Sequence, residues 1–285
     1  MADAPDDDLL PPKDRIRASF MARNDCFDPT RNSTLQQYLR DEWELAVQGL
    51  LGASQGLKIA DEVNDTLDRW FQRLWEMHTE QSRYYHTAVH LFEMLKYLHL
   101  YNQCVQKSEG NGENLTVDDE TTIRLAIYFH DAIYDPRSAT NERDSAHLFQ
   151  EFTKEPTLSR ISTDSATTFS NVIDFIEATQ KHVVSKNNSK ALSVFLDLDM
   201  AVLGKTHDAY MSYSRLIRRE YSFVPHDTYC KKRADILEGF LKQPSSIYGT
   251  ELMREAMEEQ ARTNIRHEID SLRSRRIPGE PLENT

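Results

Sequence analysis

Glycine and cysteine are both scarce in this sequence. The chain has 285 residues but only 9 glycines, which favours long helices over a fold with many tight turns. Its 3 cysteines, Cys26, Cys104 and Cys230, show no paired spacing, so the sequence indicates no disulfide framework. Sparse cysteine without pairing is typical of a reducing compartment, and we therefore expect a cytoplasmic protein.

Long apolar runs and an excess of basic charge are missing as well. No stretch approaches the roughly 18 apolar residues that a membrane-spanning helix requires, and the acidic start MADAPDDDLL lacks the pattern of a signal peptide. Acidic residues outnumber basic ones by 46 to 34, which gives a formal charge of −12. Such a chain repels polyanions, so we expect neither a membrane nor a nucleic-acid polymer as a partner. A small phosphorylated substrate stays compatible, because a bound cation reverses the local charge.

Apolar residues recur at helical spacing over most of the chain. Leu35, Leu39, Trp43 and Val47 form one stripe of this kind. Further helices are expected at about 63–75, 87–104, 116–135, 141–153, 165–184, 206–222, 228–242 and 249–272. No repeat or linker divides the pattern, so residues 31–272 predict one all-α domain. Residues 1–30 and 273–285 are expected to be flexible tails.

Two histidines four residues apart provide the first candidate site residues. On a helix, His86 and His90 would present their rings on the same side, and Arg83 would lie near that face. A histidine pair at this spacing is a weak signal when taken alone. It gains weight from the polar residues that follow further along the chain.

Aspartates embedded in apolar sequence provide the next candidates. His130 and Asp131 follow the apolar run 125–127, and two polar groups at the end of a core-facing helix are costly to bury without a partner. This favours a metal-binding pair over a helix-end histidine beside a surface aspartate. Asp197 and Asp199 lie in a second apolar stretch, where the simpler alternative is an N-cap or turn role. Residues two apart point to nearly opposite helix faces, so only one of the two is expected to bind a metal directly.

His182 is a further candidate, either as a metal ligand or substrate contact or as a solvated histidine at a helix end. Two histidines with carboxylates form a mixed nitrogen and oxygen donor set. That set suits Mn, Fe, Co, Ni or Zn better than a pure oxygen cage for Ca, and Mg is retained as a further candidate. The cysteine spacing gives no indication of a thiolate zinc site.

The order of these residues resembles that of the HD superfamily of metal-dependent phosphohydrolases. More narrowly, it resembles a predicted HD phosphohydrolase group found in bacteria and some eukaryotes. The motifs lie in order within residues 35–272. They are Tyr85-His86-x3-His90, Phe129-His130-Asp131-Ala132-Ile133-Tyr134-Asp135-Pro136, Asn141-Glu142-x2-Ser145-Ala146, Asp197-x-Asp199-x2-Val202-Leu203-Gly204, Arg219-Glu220-Tyr221, Arg233-x2-Ile236-Leu237-x2-Phe240-Leu241 and Ala261-Arg262-x-Asn264.

The resemblance implies an HD-domain helical bundle and assigns the metal ligands. These are His90, His130, Asp131 and Asp199. Asp199 is preferred over Asp197 because the family's apolar pair follows the ligand directly, as Met200-Ala201 does here. The Tyr-His-x3-His stretch is also similar to that of cyclic-nucleotide phosphodiesterases, which implies that His86 is a general acid.

The expected function is hydrolysis of a phosphate ester of a small molecule, a nucleotide being one candidate. Metal-activated water would attack phosphorus, and His86 would protonate the leaving oxygen. Glu142 would orient the water or form a hydrogen bond to a histidine that binds the metal. The candidates for contacting the substrate are Arg83, Lys181, His182 and Arg143.

Two alternatives from other classes stay open. HD folds also host di-iron oxygenases, but these need more histidine ligands, and only His182 or His207 is available here. A non-catalytic regulatory HD domain is the second alternative, and the loss of one ligand would favour it, whereas all four are present. The sequence does not identify the substrate, the native metal, the number of ions or the oligomeric state.

Overall fold

A computed structural model describes residues 32–50, 61–107, 114–159, 166–242 and 246–278. The fold is all-α, as predicted, and these residues contain no strand. The helices are α1 (Asn32–Leu50), α2 (Asp61–His78), α3 (Ala88–Lys107), α4 (Val117–Phe129), α5 (Asn141–Thr153), α6 (Pro156–Ser159), α7 (Ala166–Ala178), α8 (Lys190–Asp199), α9 (His207–Glu220), α10 (His226–Lys242) and α11 (Glu251–Arg273). A 3₁₀ helix, Met200–Gly204, continues directly from α8. Within these ranges, no helix combines the length and the hydropathy needed to cross a membrane.

Helix α4 lies at the centre of the fold. It packs against α1, α3, α5, α7 and α8, and every residue from Thr121 to Phe129 is buried. A capping box begins the helix: the Thr116 side chain accepts from the backbone N–H of Asp119, whose carboxylate accepts from the backbone N–H of Thr116. The part of the helix from Leu125 to Phe129 is apolar and buried, and the buried Arg124 before it forms ion pairs with Glu42 and Glu120.

Aromatic side chains fill the space between α4 and its neighbours. The ring centroids of Trp43 and Tyr128 lie 5.2 Å apart, and those of Trp70 and Phe152 lie 5.4 Å apart, both pairs edge to face. Edge-to-face contacts of this kind add about 0.5–1.5 kcal/mol each beyond the burial of their area. This packing fixes the position of Phe129, and hence of the residues that follow it.

Helix α4 ends at Phe129, and the prediction that it continues to about residue 135 is wrong. The guanidinium of Arg83 accounts for the early end, because it donates hydrogen bonds to the carbonyl oxygens of Asp131 and Ala132 at 2.6 and 2.7 Å. Those carbonyl oxygens therefore accept hydrogen bonds from a side chain outside α4 instead of from the backbone of a longer helix. Pro136 also disfavours helical backbone at the residue before it. His130 and Asp131 consequently lie on a turn at the end of a rigid helix.

Helix α8 was not among the predicted helices, although the segment 195–201 was recognised as apolar. Ser189 caps its start by accepting from the backbone N–H of Leu192 at 3.1 Å. Near its end, Asp197 accepts hydrogen bonds from the backbone N–H groups of Gly249 and Thr250, at 2.6 and 2.8 Å. The buried carboxylate thereby ties α8 to the start of α11.

One other boundary differs from expectation, because helix α7 ends at Ala178 rather than near residue 184. Helix α3 begins at Ala88, close to the predicted start at about residue 87, so that His86 precedes it. The predicted tail 1–30 lies outside the described residues, as does most of the tail 273–285. One cluster of buried apolar side chains extends from Leu35 to Ile277 and joins the helices on both sides of α4.

The close approach of α11 to the 3₁₀ helix generates a stability prediction. A Cβ at Gly204 would lie 2.8 Å from Cβ of Met257 and 2.9 Å from the hydroxyl oxygen of Tyr248, whereas a Cβ at the helical Gly239 would meet nothing within 4 Å. Gly204→Ala should destabilise the protein by about 1–3 kcal/mol through overpacking. Gly239→Ala should stabilise it by about 0.5–1 kcal/mol through helix propensity. Urea unfolding followed by circular dichroism measures both, and shifts of the same sign would contradict this packing.

Candidate functional site

Three of the predicted ligands form a compact cluster beside the end of α4. His90 lies in the first turn of α3, and His130 and Asp131 follow the last residue of α4. One potential ligand atom from each of these residues lies within 4.8 Å of the other two. Ligand atoms on opposite sides of a divalent cation are about 4 Å apart, so the cluster has the dimensions of a metal site.

His130 carries the clearest sign that a cation belongs there. Its Nδ1 donates to the carbonyl oxygen of Ile127 at 2.9 Å, which leaves Nε2 to face the cluster. Nε2 is fully buried and has no hydrogen-bond partner, although it lies 3.0 Å from Oδ2 of Asp131. A buried nitrogen without a partner is costly. A metal ion bound to the Nε2 lone pair removes that cost.

Asp199, the last residue of α8, brings a second carboxylate to the same point. Its Oδ1 lies 3.0 Å from Nε2 of His90 and 3.8 Å from Nε2 of His130. Its Oδ2 lies 2.7 Å from Nε2 of His182. All four predicted ligands therefore lie close together, and His182 contacts one of them, Asp199. Asp197 is turned away towards α11, so only one of the two aspartates faces the cluster.

His182 occupies this position through an unusual backbone conformation. The chain turns after α7, and His182 closes the turn with a left-handed φ of 45° and a hydrogen bond from its N–H to the carbonyl oxygen of Ala178 at 3.1 Å. Glycine is the common residue at such a helix end, and a side-chain-bearing residue there costs about 1 kcal/mol or more. This backbone conformation places the ring of His182 within hydrogen-bond distance of Asp199.

The electrostatics of the cluster favour ionised carboxylates and a compensating positive charge. Burial alone would raise the pKa of Asp131, but the charges of His130 and His86 hold it below its usual range. Burial alone would raise the pKa of Asp199 too, and the hydrogen bonds from His182 and His90 keep it low. Burial would lower the pKa of His130, whereas the charges of Asp131 and Asp199 raise it to about 9. Positive charge is thus required here, as bound protons or as a metal ion.

His86 lies beside the cluster in an arrangement of its own. Its Nδ1 donates to Oε2 of the buried Glu220 at 2.7 Å, and its ring centroid is 6.1 Å from that of His90. The predicted shared helix face is wrong, because residues 84–87 are not helical. The physical reason is Glu220, whose Oε1 accepts from the backbone N–H groups of Tyr84, Tyr85 and His86 at 2.8, 2.8 and 3.1 Å.

Glu220 sets both the orientation and the charge of His86. Burial alone would raise the pKa of Glu220, but the hydrogen bond from His86 and those from the backbone lower it to about 2. Burial alone would lower the pKa of His86, and the charge of Asp131 and the bond to Glu220 raise it. Tyr134 also donates to Glu220 at 2.9 Å. His86 is therefore a fixed imidazole that favours its protonated form.

A cavity of about 590 Å³ opens beside these residues. Its walls include His86, Asp131, His182, Asp199 and Glu142, so the predicted catalytic residues face one space. Glu142 is half-buried there. Arg83, Lys181 and Arg143 are not among the lining residues: the guanidinium of Arg83 binds backbone carbonyls, and that of Arg143 pairs with Asp144.

Arg233, a residue to which the sequence had assigned no role, supplies a cation to the cavity wall. Its Nε donates to Oε1 of Glu268 at 3.1 Å, and its Nη2 donates to the hydroxyl oxygen of Tyr213 at 3.2 Å. Glu268 is fully buried. The ring of Tyr213 packs at 4.7 Å against Tyr85, whose ring in turn lies 5.0 Å from His90. The guanidinium is thus held rigidly beside the cluster.

Comparisons with known proteins add no relative to this picture. No family model matches the sequence, and no curated protein or solved structure matches the chain.

The contact between Glu220 and His86 generates a prediction about protonation. Glu220→Gln replaces the carboxylate by a neutral amide, so the imidazolium form of His86 loses its stabilising charge and the pKa of His86 should fall. Nitrogen-15 NMR titration of the His86 ring measures this value. Glu142→Gln is the matched control, since it removes a carboxylate from the same cavity that makes no hydrogen bond to His86. Equal shifts in the two variants would show that the direct contact does not set the pKa.

Proposed function

We propose that this protein is a metal-dependent phosphohydrolase whose divalent ion is bound by His90, His130, Asp131 and Asp199. The observation that carries the proposal is the buried Nε2 of His130. It has no hydrogen-bond partner, and it lies 3.0 Å from Oδ2 of Asp131 and 3.8 Å from Oδ1 of Asp199. Two imidazoles and two carboxylates suit Mn, Fe, Co, Ni or Zn. A cation bound there would lower the pKa of a coordinated water towards about 7 and offset negative charge on a phosphoryl group.

His86 is placed to give a proton to the leaving oxygen. Its Nδ1 is held by Glu220, so the other ring nitrogen, Nε2, carries the mobile proton into the cavity. The charge of Asp131 and the bond to Glu220 raise the pKa of His86 against the effect of burial, which favours the protonated form. The pair therefore has the two properties that a general acid requires, which are a fixed geometry and the correct protonation state.

Arg233 is the cation best placed to receive the phosphate. It lines the cavity together with Arg137 and Lys232, whereas Arg83 and Lys181 do not. Its anchoring by Glu268 and Tyr213 removes most of the conformational freedom that an exposed arginine loses when it binds an anion. Asp131, Asp199 and Glu142 line the same cavity, and without bound positive charge they would repel a phosphate. Phosphate binding there therefore depends on the metal.

The placement of the remaining histidines bears on the oxygenase alternative. His182 contacts Asp199 and is available as one additional ligand. His207 lies elsewhere, with its ring 5.4 Å from that of His267 at a separate small pocket. The described residues therefore bring a single extra histidine to the cluster, which supports hydrolysis at a small site over a histidine-rich di-iron centre.

The proposal predicts which carboxylate is needed for metal binding. Asp131→Asn should abolish bound metal and phosphate release, because it removes an anionic ligand from a buried cluster. Asp135→Asn is the matched control, since Asp135 is exposed on the same segment and lies outside the cavity wall. Metal content by mass spectrometry and phosphate release from a panel of nucleotides and phosphomonoesters measure the two effects. Full metal occupancy in the folded Asp131→Asn protein would overturn the assignment.

A second prediction separates the role of His86 from metal binding. His86→Ala should retain the metal and lose about 10²–10⁴-fold in turnover. The loss should shrink for a nitrophenyl ester, because nitrophenolate is an acidic leaving group that departs without a proton. Turnover of nitrophenyl and alkyl phosphate esters, measured on both proteins, tests this. Equal losses for the two esters, or loss of the metal, would contradict the general-acid role.

A further inference from the structure

The cavity beside the cluster also has an apolar wall. The segment after α9 and the helix α10 contribute large apolar side chains to its lining. These are Tyr221, Phe223, Val224, Ile236 and Phe240. Hydrolysis of a phosphate group requires none of these residues. The apolar wall is therefore available to the remainder of the substrate.

Two of these side chains are exposed to an unusual degree. Phe223 is 41% exposed and Ile236 is 56% exposed, and both line the same cavity. Single exposed apolar residues are ordinary on protein surfaces, and Leu45 and Val117 are examples elsewhere on this chain. Adjacent exposed apolar groups within a concave site are typical of ligand pockets. This face is thus suited to an apolar group that enters the cavity.

The aromatic character of the wall indicates the shape of that group. The rings of Tyr221 and Phe223 are near parallel, at 28° with centroids 6.1 Å apart. The guanidinium of Arg137 lies 4.0 Å from the centroid of Phe223 and also lines the cavity. Flat aromatic and guanidinium surfaces pack best against another planar ring.

The cavity also has room for much more than a phosphate. Its volume of about 590 Å³ falls within the range of about 300–1,000 Å³ typical of pockets for drug-sized organic ligands. Its lining also includes three positive side chains, Arg137, Lys232 and Arg233. An anionic ester that carries a sizeable organic group matches this combination of charge and apolar surface.

We propose that the substrate is a phosphate ester with a planar aromatic ring in its organic part, and that this ring packs against Phe223 and Ile236. The position of the phosphate at the metal cluster rests on the proposed phosphohydrolase function. The ring contact itself depends only on the apolar wall. Burial of the ring would cover two exposed side chains and release water from both surfaces.

Calorimetric titration with phosphonates tests the ring contact without any hydrolysis. The full-length protein, loaded with Mn²⁺, is titrated with naphthylphosphonate, octylphosphonate and methylphosphonate, none of which has an ester bond to cleave. Naphthylphosphonate should bind at least tenfold more tightly than methylphosphonate and more tightly than octylphosphonate. Equal affinities for the naphthyl and methyl compounds, or tighter binding of the octyl compound, would overturn the proposal.

Variants on the exposed wall locate the contact. Phe223→Ala and Ile236→Ser should each reduce the preference for naphthylphosphonate over methylphosphonate several-fold, while the affinity for methylphosphonate changes less than twofold. Both side chains are substantially exposed, so folding should be retained, as thermal unfolding will check. Leu45→Ala is the matched control, because Leu45 is 47% exposed and lies outside the cavity wall. An unchanged preference in both wall variants would overturn the proposal.

The two proposals fail in different ways. If the protein releases no phosphate from naphthyl phosphate but still prefers naphthylphosphonate, the hydrolase function is wrong and the aromatic site stands. If phosphate is released from naphthyl and glycerol esters with equal kcat/KM and the phosphonates bind equally, the hydrolase function stands and the aromatic site is wrong.

Discussion

The centre of this protein concentrates lone pairs and negative charge at one enclosed point. Two carboxylates and the Nε2 atoms of His90 and His130 converge there, and the nearest neighbours of Nε2 of His130 are acceptors rather than donors. Such a cluster is unfavourable unless positive charge occupies it. The surrounding structure can be understood as the framework that holds these acceptors together despite their mutual repulsion.

Buried polar contacts at the helix ends form that framework. Arg83 holds the carbonyl oxygens that follow α4, and Asp197 anchors the end of α8 to α11. Asn264 donates to the carbonyl oxygens of Leu203 and Lys205, both at 2.8 Å, and so fixes the chain after the 3₁₀ helix. Each contact satisfies backbone groups at or beside a helix end. The same contacts determine where the ligand side chains point.

The sequence predicted the all-α fold because the apolar spacing of helices such as α1 and α4 is a local property. Polar residues within apolar stretches also indicated His130, Asp131 and the pair Asp197 and Asp199 as candidates, because burial there needs compensation. The choice of His90, His130, Asp131 and Asp199 as the ligand set came from the resemblance to the HD superfamily. Glu220 could not be identified in this way, because its partners lie about 135 residues earlier in the chain. The placement of residues 84–86 outside a helix followed from the same long-range contact.

Arg233 and the apolar wall depend still more on tertiary structure. The helical spacing of Arg233, Ile236 and Phe240 was visible, but spacing alone does not distinguish a core stripe from a cavity wall. The buried Glu268 decides where the guanidinium lies, and no local signal links residues 233 and 268. Two contact networks, one around Glu220 and one around Glu268, thus fix the positions of the His86 ring and the Arg233 guanidinium in the cavity wall.

Anomalous X-ray diffraction from crystals of the protein loaded with Mn²⁺ or Zn²⁺ tests directly whether these four residues bind a divalent cation. We expect a peak about 2.0–2.3 Å from Nε2 of His90, Nε2 of His130 and a carboxylate oxygen of both Asp131 and Asp199. Asp197 should keep its hydrogen bonds to Gly249 and Thr250. Absence of a peak at this cluster in a metal-loaded crystal, or a peak bound to other residues alone, would contradict the account.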